Sequence, residues 1–235
     1  MIKNKQFLDN LMQFQKEIGY EFNDISILAA SVIHSSYANE NRHKNISSNE
    51  RLEFLGDAVL NISVSDYIFR NYKELSEGEL TKVRACVVCE PSLAKCAKKL
   101  GIGKYLLLGK GEDMTGGRNR VSILSDAFEA VIAAIYLDGG LDVAKEWVIG
   151  QLADTIEEAV HGTAFQDYKT ILQEYVQKNG EEKILYEIIK ERGPDHDKEF
   201  YVDVKLSNRV IGYGSGKSKK EAEQNAAKDA LDKLK

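Results

Sequence analysis

The 235-residue sequence has little cysteine and proline and no long apolar run, and these shortages exclude several classes of protein. Three cysteines, an odd number, argue against a disulfide framework. The longest apolar run, Ala130–Leu137, falls far short of the roughly 18 residues of a membrane-spanning helix. No apolar segment follows the positive N-terminus as a signal peptide would require, so we expect a cytoplasmic protein with no membrane partner.

The composition is that of a globular protein, with 43% hydrophobic and 29% charged residues. The formal net charge is -5, and all of the excess acid lies before residue 166. A nucleic acid would therefore have to bind to a local basic cluster, because the overall charge does not attract phosphate.

The chain length predicts one large and one small domain. Helical periodicity runs from Lys5 to about Ala159, with a glycine-rich stretch at 109–117 that we expect to be an exposed loop. Periodicity is lost after His161. We predict an all-α domain over 1–160, a linker over 161–166 and a second domain over 167–235.

The second domain has a different pattern from the first. Asp167–Gln177 is amphipathic, Lys183–Lys190 is rich in β-formers, and Phe200–Leu206 alternates with a period of two. A short strand over Arg209–Tyr213 then leads through glycines into a helix with an alanine-rich face. This order, α-β-β-β-α, predicts a small α+β domain.

Three carboxylates share one face of a predicted helix over residues 49–60. Glu50, Glu53 and Asp57 lie within an arc of about 60°, and no cation lies among them. A plain surface helix would intersperse cations to gain i,i+4 pairs. The opposite face is apolar and should face the core: Leu52, Leu55 and Val59.

A second helix, predicted over Val121–Leu137, is apolar nearly all round but carries Asp126 and Glu129. A buried carboxylate needs a cation, a hydrogen-bond network or a raised pKa. Oxygen ligands from two helices favour Mg²⁺, or Mn²⁺ in its place, over Zn²⁺. The alternative is that the acids of both helices are solvated or paired with arginines, namely Arg51, Arg84, Arg118 or Arg120.

The nine residues Asn49–Asp57, NERLEFLGD, resemble the signature of the ribonuclease III family. The resemblance extends to Ser76–Glu79, to Ile123–Ala130 and to the C-terminal α-β-β-β-α order, which is similar to a double-stranded RNA-binding domain. It covers essentially the whole chain. It implies a homodimer that cuts both strands of double-stranded RNA, leaving 5′-phosphate and 3′-hydroxyl ends with short 3′ overhangs. The implied roles are ribosomal RNA precursor maturation and mRNA turnover.

The resemblance also implies roles for individual residues. Four acids match the ligands of a catalytic Mg²⁺: Glu53, Asp57, Asp126 and Glu129. Of these, Asp57 and Glu129 would be the catalytic residues least tolerant of change. Glu50 and Glu77 would be supporting acids, and Phe54 would insert into the partner subunit, although local packing explains an apolar ring there equally well.

The C-terminal helix begins at a lysine cluster, Lys217, Lys219 and Lys220. Ser218 and Glu221 have the spacing of a capping box. Cations oppose the helix dipole at this end, and an RNA phosphate backbone would compensate. The segment is not a nucleotide-binding P-loop, because Ile211 stands where the first glycine is needed. We therefore expect no small-molecule cofactor.

The resemblance places two further RNA contacts in the second domain. Four residues of its first helix would face one minor groove: Thr170, Gln173, Glu174 and Gln177. Three residues of a loop between strands would face the next: Pro194, Asp195 and His196.

Other chemistry-bearing residues have plainer interpretations. We interpret His34 as a packing or capping residue, Glu112 as simply exposed, and Cys86, Cys89 and Cys96 as buried core thiols. Two other functions remain open, a non-catalytic RNA-binding protein and a helical scaffold. A non-catalytic RNA-binding protein would not need all of these acids, and a helical scaffold would not explain the lysine cluster.

Overall fold

A computed structural model describes residues 5–161, 168–179, 183–193, 198–207 and 209–234. The chain divides into two compact units, Met1–Ala164 and Phe165–Lys235, each with its own hydrophobic core. Among the helices of the described ranges, none is long and apolar enough to cross a membrane. The first unit is helical and the second joins two helices to a sheet, which confirms the fold class expected from the sequence.

The first unit is built from helices joined by short turns. In chain order the described helices are α1 (Lys5–Ile18), α2 (Ile25–Ser31), α3 (Ser35–Glu40), α4 (Glu50–Asn71), α5 (Glu77–Val87), α6 (Glu90–Lys99), α7 (Lys110–Met114), α8 (Val121–Gly139) and α9 (Leu141–Val160). Short 3-10 turns at Arg42–Lys44, Ile102–Lys104 and Gly117–Asn119 connect some of them.

Helix α8 is the centre of this unit. Most of its residues are buried, as its nearly all-round apolar sequence predicts, and α2, α4, α6 and α9 pack around it. Trp147 of α9 packs on Phe128 of α8 with ring centroids 5.5 Å apart. Its Nε1 donates to the carbonyl oxygen of Ile18 at 2.7 Å, which fastens α1 to the same core.

Three local expectations differ from the structure. The glycine-rich stretch 109–117 is not a simple loop, because it contains the short helix α7. Most of its glycines lie just before or just after this helix. Of the three residues predicted to face the core, only Val59 is buried, whereas Leu52 and Leu55 remain partly exposed. The third strand continues to Gly216 rather than ending at Tyr213.

The second unit contains α10 (Tyr168–Asn179), β1 (Ile184–Arg192), β2 (Glu199–Leu206), β3 (Arg209–Gly216) and α11 (Lys219–Leu234). The strands form an antiparallel sheet in the order β1-β2-β3. Val202 and Val204 of β2 are buried and point toward the helices, as the period of two predicts.

Strand β3 meets α11 without side chains between them. Gly214 lies opposite Val202 in the register, on the inner face of the sheet. A Cβ on Gly214 would lie 2.2 Å from the backbone nitrogen of Ala226, and one on Gly212 would lie 2.5 Å from the carbonyl oxygen of Ala226. The alanine face of α11 therefore packs directly on the strand backbone.

Candidate metal and RNA site

Helices α4 and α8 bring three carboxylates together. One oxygen each from Glu53, Asp126 and Glu129 lies within 4.8 Å of the other two. We call this set the carboxylate group. Opposite oxygen ligands of Mg²⁺ are about 4 Å apart, so small side-chain movements would bring these atoms to a single ion. All three are oxygen donors, as a hard divalent cation prefers.

Burial and mutual repulsion raise the pKa values of the carboxylate group. Burial, followed by the charges of Asp57, Asp126 and Glu53, raises the pKa of Glu129 to about 8. Burial is also the largest cause that raises the pKa values of Glu53 and Asp126. The group is therefore a partly buried set of like charges, and a divalent cation would stabilise its ionised form.

Three of the four arginines named as possible partners of these acids are engaged elsewhere. Arg118 pairs with Asp113 at 2.7 Å, and Arg120 pairs with Glu112 at 2.5 Å. Arg84 donates to the hydroxyl of Ser65. Within the described residues, the carboxylate group forms no salt bridge with lysine or arginine, so the alternative of arginine pairing is wrong for it.

Asp57 lies next to the carboxylate group but outside the 4.8 Å set. It is exposed, and its Oδ1 accepts a hydrogen bond of 2.8 Å from Nδ2 of Asn61, one helical turn further on. Its charge is nevertheless close enough to raise the pKa of Glu129. Glu50 is exposed at the start of α4, and its charge contributes to the raised pKa of Glu53.

The second unit presents its lysine cluster at the start of α11. Lys217, Lys219 and Lys220 are all exposed. The hydroxyl of Ser218 accepts a bond of 3.1 Å from the amide of Glu221, as the capping box predicts. The Glu221 carboxylate accepts from the amide of Lys217 at 2.7 Å, one residue earlier than a capping box requires.

The predicted RNA contacts of α10 are on its solvent side. The four residues are exposed on the described helix: Thr170, Gln173, Glu174 and Gln177. Leu172 and Val176, between them, are buried in the core of the unit. The three predicted loop contacts, Pro194, Asp195 and His196, lie outside the described residues.

Both units match families of known proteins. Residues 24–156 match the model of Ribonuclease-III-like domains, and residues 168–234 match the double-stranded RNA binding motif. The chain belongs to the ribonuclease III family. Among curated relatives of this family, "Ribonuclease 3" of Clostridium perfringens is 52% identical and covers 96% of this chain and 94% of its own, and that of Caldanaerobacter subterraneus is 50% identical and covers 95% and 98%.

A solved structure agrees with the first unit. The crystal structure of the nuclease domain of ribonuclease III from Campylobacter jejuni is 38% identical, with a TM-score of 0.56. The alignment covers 66% of this chain and 97% of that domain. The helical unit thus shares the fold of a ribonuclease III nuclease domain.

One family acid, Glu77, does not join the carboxylate group among the described residues. It is exposed at the first turn of α5 and accepts a bond of 3.2 Å from Thr81. It lines a groove along the second half of α4, together with Ile62 and Phe69. The prediction that Glu77 supports the catalytic centre therefore does not follow from its position within one subunit.

Phe54 is 81% exposed on the side of α4 away from the core. Local packing, the alternative interpretation of the sequence, does not account for a ring so open to solvent. Its position agrees with the partner contact that ribonuclease III family members imply, which remains a prediction.

The structure also decides the minor interpretations. His34 is a capping residue, since its Nδ1 accepts from the amide of Ser36 at the start of α3. Glu112 is not simply exposed, because the turn after α7 folds Arg120 back onto it. Of the three free cysteines, only Cys96 is buried, and Cys86 and Cys89 are half-buried between α5 and α6.

Sequence reasoning missed three residues of the site. Asn61 holds the carboxylate of Asp57, Glu90 lies close enough to raise the pKa of Asp126, and Asn49 fastens the start of α4. The spacing of Asn61 from Asp57, one helical turn, could have been noticed. Glu90 and Asn49 act across the fold, and no local pattern indicates them.

Proposed function

We propose that the chain is a divalent-metal-dependent endoribonuclease that hydrolyses both strands of double-stranded RNA as a homodimer. The observation that carries the proposal is the carboxylate group, whose three partly buried acids form no salt bridge with lysine or arginine among the described residues. Membership of the ribonuclease III family and the C-terminal double-stranded RNA binding motif support the substrate.

The carboxylate group fits Mg²⁺, with Mn²⁺ as a substitute, because its donors are all oxygens and carry excess negative charge. Glu53, Asp126 and Glu129 would hold the ion, and Asp57 would add a fourth carboxylate after a side-chain rotation. A bound Mg²⁺ lowers the pKa of water to generate a nucleophile and stabilises charge on the scissile phosphate. The protein contributes fixed acids that need little reorganisation for this chemistry.

The raised pKa of Glu129 makes cation binding depend on pH. With its pKa near 8, the free enzyme carries a proton on Glu129 over much of the neutral range. Loading a cation expels that proton, so cation binding should strengthen as pH rises.

We propose that the RNA is held chiefly by the second unit. The lysine cluster would meet phosphates, and the exposed side of α10 would meet a minor groove. The linker over 161–166 would connect this unit to the nuclease. The products would carry 5′-phosphate and 3′-hydroxyl ends with short 3′ overhangs. Precursors of ribosomal RNA and messenger RNAs with duplex segments would be the substrates.

We propose that Phe54 is the central contact of the homodimer. Its exposed ring is an apolar anchor of the kind that dominates interfaces. A second nuclease-domain structure from Campylobacter jejuni, 39% identical over 60% of this chain with a TM-score of 0.56, is described as flexible in a region involved in dimer formation. In a dimer, Glu77 could serve the partner's centre.

The test is incubation of the full chain with a long, end-labelled RNA duplex in Mg²⁺ and in chelator, followed by analysis of product size and end chemistry. Short duplexes with 5′-phosphates in Mg²⁺ alone are expected. Shifted but intact RNA in both conditions would reject the nuclease and favour a binding protein.

A further inference from the structure

Asn49 stands at the N-cap position of α4 but does not behave as a cap. Its backbone is helical, with φ -79° and ψ -2°, whereas a capping residue is normally extended. Among the described residues, no amide of α4 donates to its side chain. The residue is buried, with only 4% of its surface exposed. A polar residue this deep needs partners elsewhere.

Those partners lie in residues 31–34, which comprise the last residue of α2 and the connection to α3 and which we call the strap. Nδ2 of Asn49 donates to the carbonyl oxygen of Ser31 at 3.0 Å. Its backbone amide donates to the carbonyl oxygen of Ile33 at 2.8 Å. Asn49 therefore joins the strap through two hydrogen bonds in a buried setting.

The other end of the same residue holds the first turn of α4. The carbonyl oxygen of Asn49 accepts from the amide of Leu52 at 2.8 Å and from that of Glu53 at 2.9 Å. Glu53 is the member of the carboxylate group that α4 supplies. One residue thus connects the strap directly to the backbone of a proposed metal ligand.

The strap is itself fixed on its far side. The amide of Leu107 donates to the carbonyl oxygen of Val32 at 2.8 Å, and the amide of His34 donates to that of Leu107 at 3.1 Å. Ile33 and Leu107 form a parallel β-bridge, and the side chains of Val32 and Ile33 are buried. The strap is therefore a rigid anchor for whatever binds to it.

The carboxylate group needs such an anchor. Three carboxylates within 4.8 Å repel each other once all are ionised, as cation binding requires, and the start of a helix is its weakest part because its first amides lack partners within the helix. Repulsion would move Glu53, at the free end of α4, away from Asp126 and Glu129 on the buried helix α8. Bonds that hold the first turn in place oppose this movement.

We propose that Asn49 is a positioning residue that presets Glu53 for cation binding by tying the first turn of α4 to the strap. The inference rests on the proposed function, because it assigns Asn49 a part in loading the same metal site. Residues that orient metal ligands from outside the coordination sphere typically change metal affinity 10–100-fold when removed.

The test compares Asn49→Ala and Asn49→Ser with Ser63→Ala in the full chain. Asn49→Ser places a small hydroxyl that can cap α4 but cannot reach Ser31, so it separates helix stability from positioning. Ser63 is a matched control, since it is buried on the same helix and its hydroxyl donates to Val59 at 2.6 Å. Mn²⁺ affinity is measured by electron paramagnetic resonance without RNA, and thermal unfolding by circular dichroism.

Both Asn49 variants should weaken Mn²⁺ binding by about tenfold. They should raise the Mg²⁺ concentration for half-maximal cleavage by a similar factor and leave RNA affinity in chelator unchanged. Ser63→Ala should lower the unfolding temperature but not the Mn²⁺ affinity. Wild-type Mn²⁺ affinity in Asn49→Ser, or equal weakening in Ser63→Ala, would overturn the inference. A wild-type chain that binds Mn²⁺ but cuts no duplex rejects the proposed function instead, while the Mn²⁺ comparison still decides the role of Asn49.

Discussion

The carbonyl oxygen of Glu129 occupies the space that a side chain on Gly56 would need. A Cβ built on Gly56 would lie 1.8 Å from that oxygen and 2.5 Å from the carbonyl carbon. Both are backbone atoms of a buried helix, so they cannot move aside as a flexible side chain can. The spacing of α4 and α8, and with it the distance from Glu53 to Glu129, depends on the absence of a side chain at residue 56.

Gly56→Ala should therefore disrupt the site without removing any acid. We expect a loss of stability of about 1–3 kcal/mol or more from overpacking, and a fall in cleavage of at least tenfold at fixed Mg²⁺. Gly150→Ala on α9 is the matched control, because a Cβ there meets nothing within 4 Å. It should gain about 0.5–1 kcal/mol from helix propensity. Urea denaturation and the cleavage assay test both variants, and a Gly56→Ala protein of wild-type stability would contradict this packing argument.

Glu129→Gln should abolish cleavage and leave RNA affinity within a few fold of wild type. The carboxylate is proposed to hold a metal ion, whereas the lysine cluster is proposed to hold RNA. Exposed Glu146 on α9 provides a control, Glu146→Gln, which removes the same charge outside the carboxylate group. Filter binding in chelator and cleavage in Mg²⁺ separate the two effects. If RNA affinity falls as much as the cleavage rate, the separation of metal binding at Glu129 from RNA binding at the lysine cluster is wrong.

Without metal, the stability of the chain should fall as pH rises from about 5 to 8. Burial raises the pKa of Glu129 to about 8 in the folded state, from a usual value of 4.5. Between these values the folded chain binds more protons than the unfolded chain, so deprotonation favours unfolding. Denaturation in EDTA at several pH values measures the slope, and Glu129→Gln should flatten it. The same slope in both proteins would assign the effect to other groups.

Replacing the lysine cluster with glutamine should weaken RNA binding and make it less sensitive to salt. Each phosphate contact contributes about 0.7–0.9 to the slope of log affinity against log salt concentration. The triple substitution should therefore reduce the slope by up to about 2–3. Exposed lysines at the end of α6 provide a control triple, Lys95, Lys98 and Lys99. An unchanged slope after replacement of Lys217, Lys219 and Lys220 would move the RNA site elsewhere.

The acids of the site could be predicted from the sequence because their chemistry is local. Asp126 and Glu129 stand out as carboxylates in an apolar helix, and Glu53 shares a helix face with other acids. Burying an unpaired carboxylate costs free energy, so a carboxylate in an otherwise apolar helix can be recognised as unusual from the sequence alone. The helices and strands were predictable for a similar reason, since periodicity reports which faces are buried.

The features of the site that could not be predicted depend on contacts between residues that are far apart in the sequence. The sequence predicts Asn49 only as the first residue of a helix, and the position of the strap shows that its side chain binds Ser31. Glu112 reads as exposed because its neighbours are glycines, yet those glycines allow the turn that brings Arg120 to it. Asp57 shares a helix face with Glu53, yet it lies outside the carboxylate group, and its Oδ1 accepts a hydrogen bond from Asn61.

The close packing of β3 on α11 has a mechanical consequence for the lysines at the helix start. A long side chain can yield when two elements are pushed together, whereas backbone atoms in direct contact cannot. Gly212 and Gly214 thus allow α11 to pack rigidly against the sheet. The side chains of Lys219 and Lys220 are exposed, but their backbone belongs to the helix that is packed in this way. A ligand with evenly spaced charges would therefore meet cationic residues whose backbone positions are fixed.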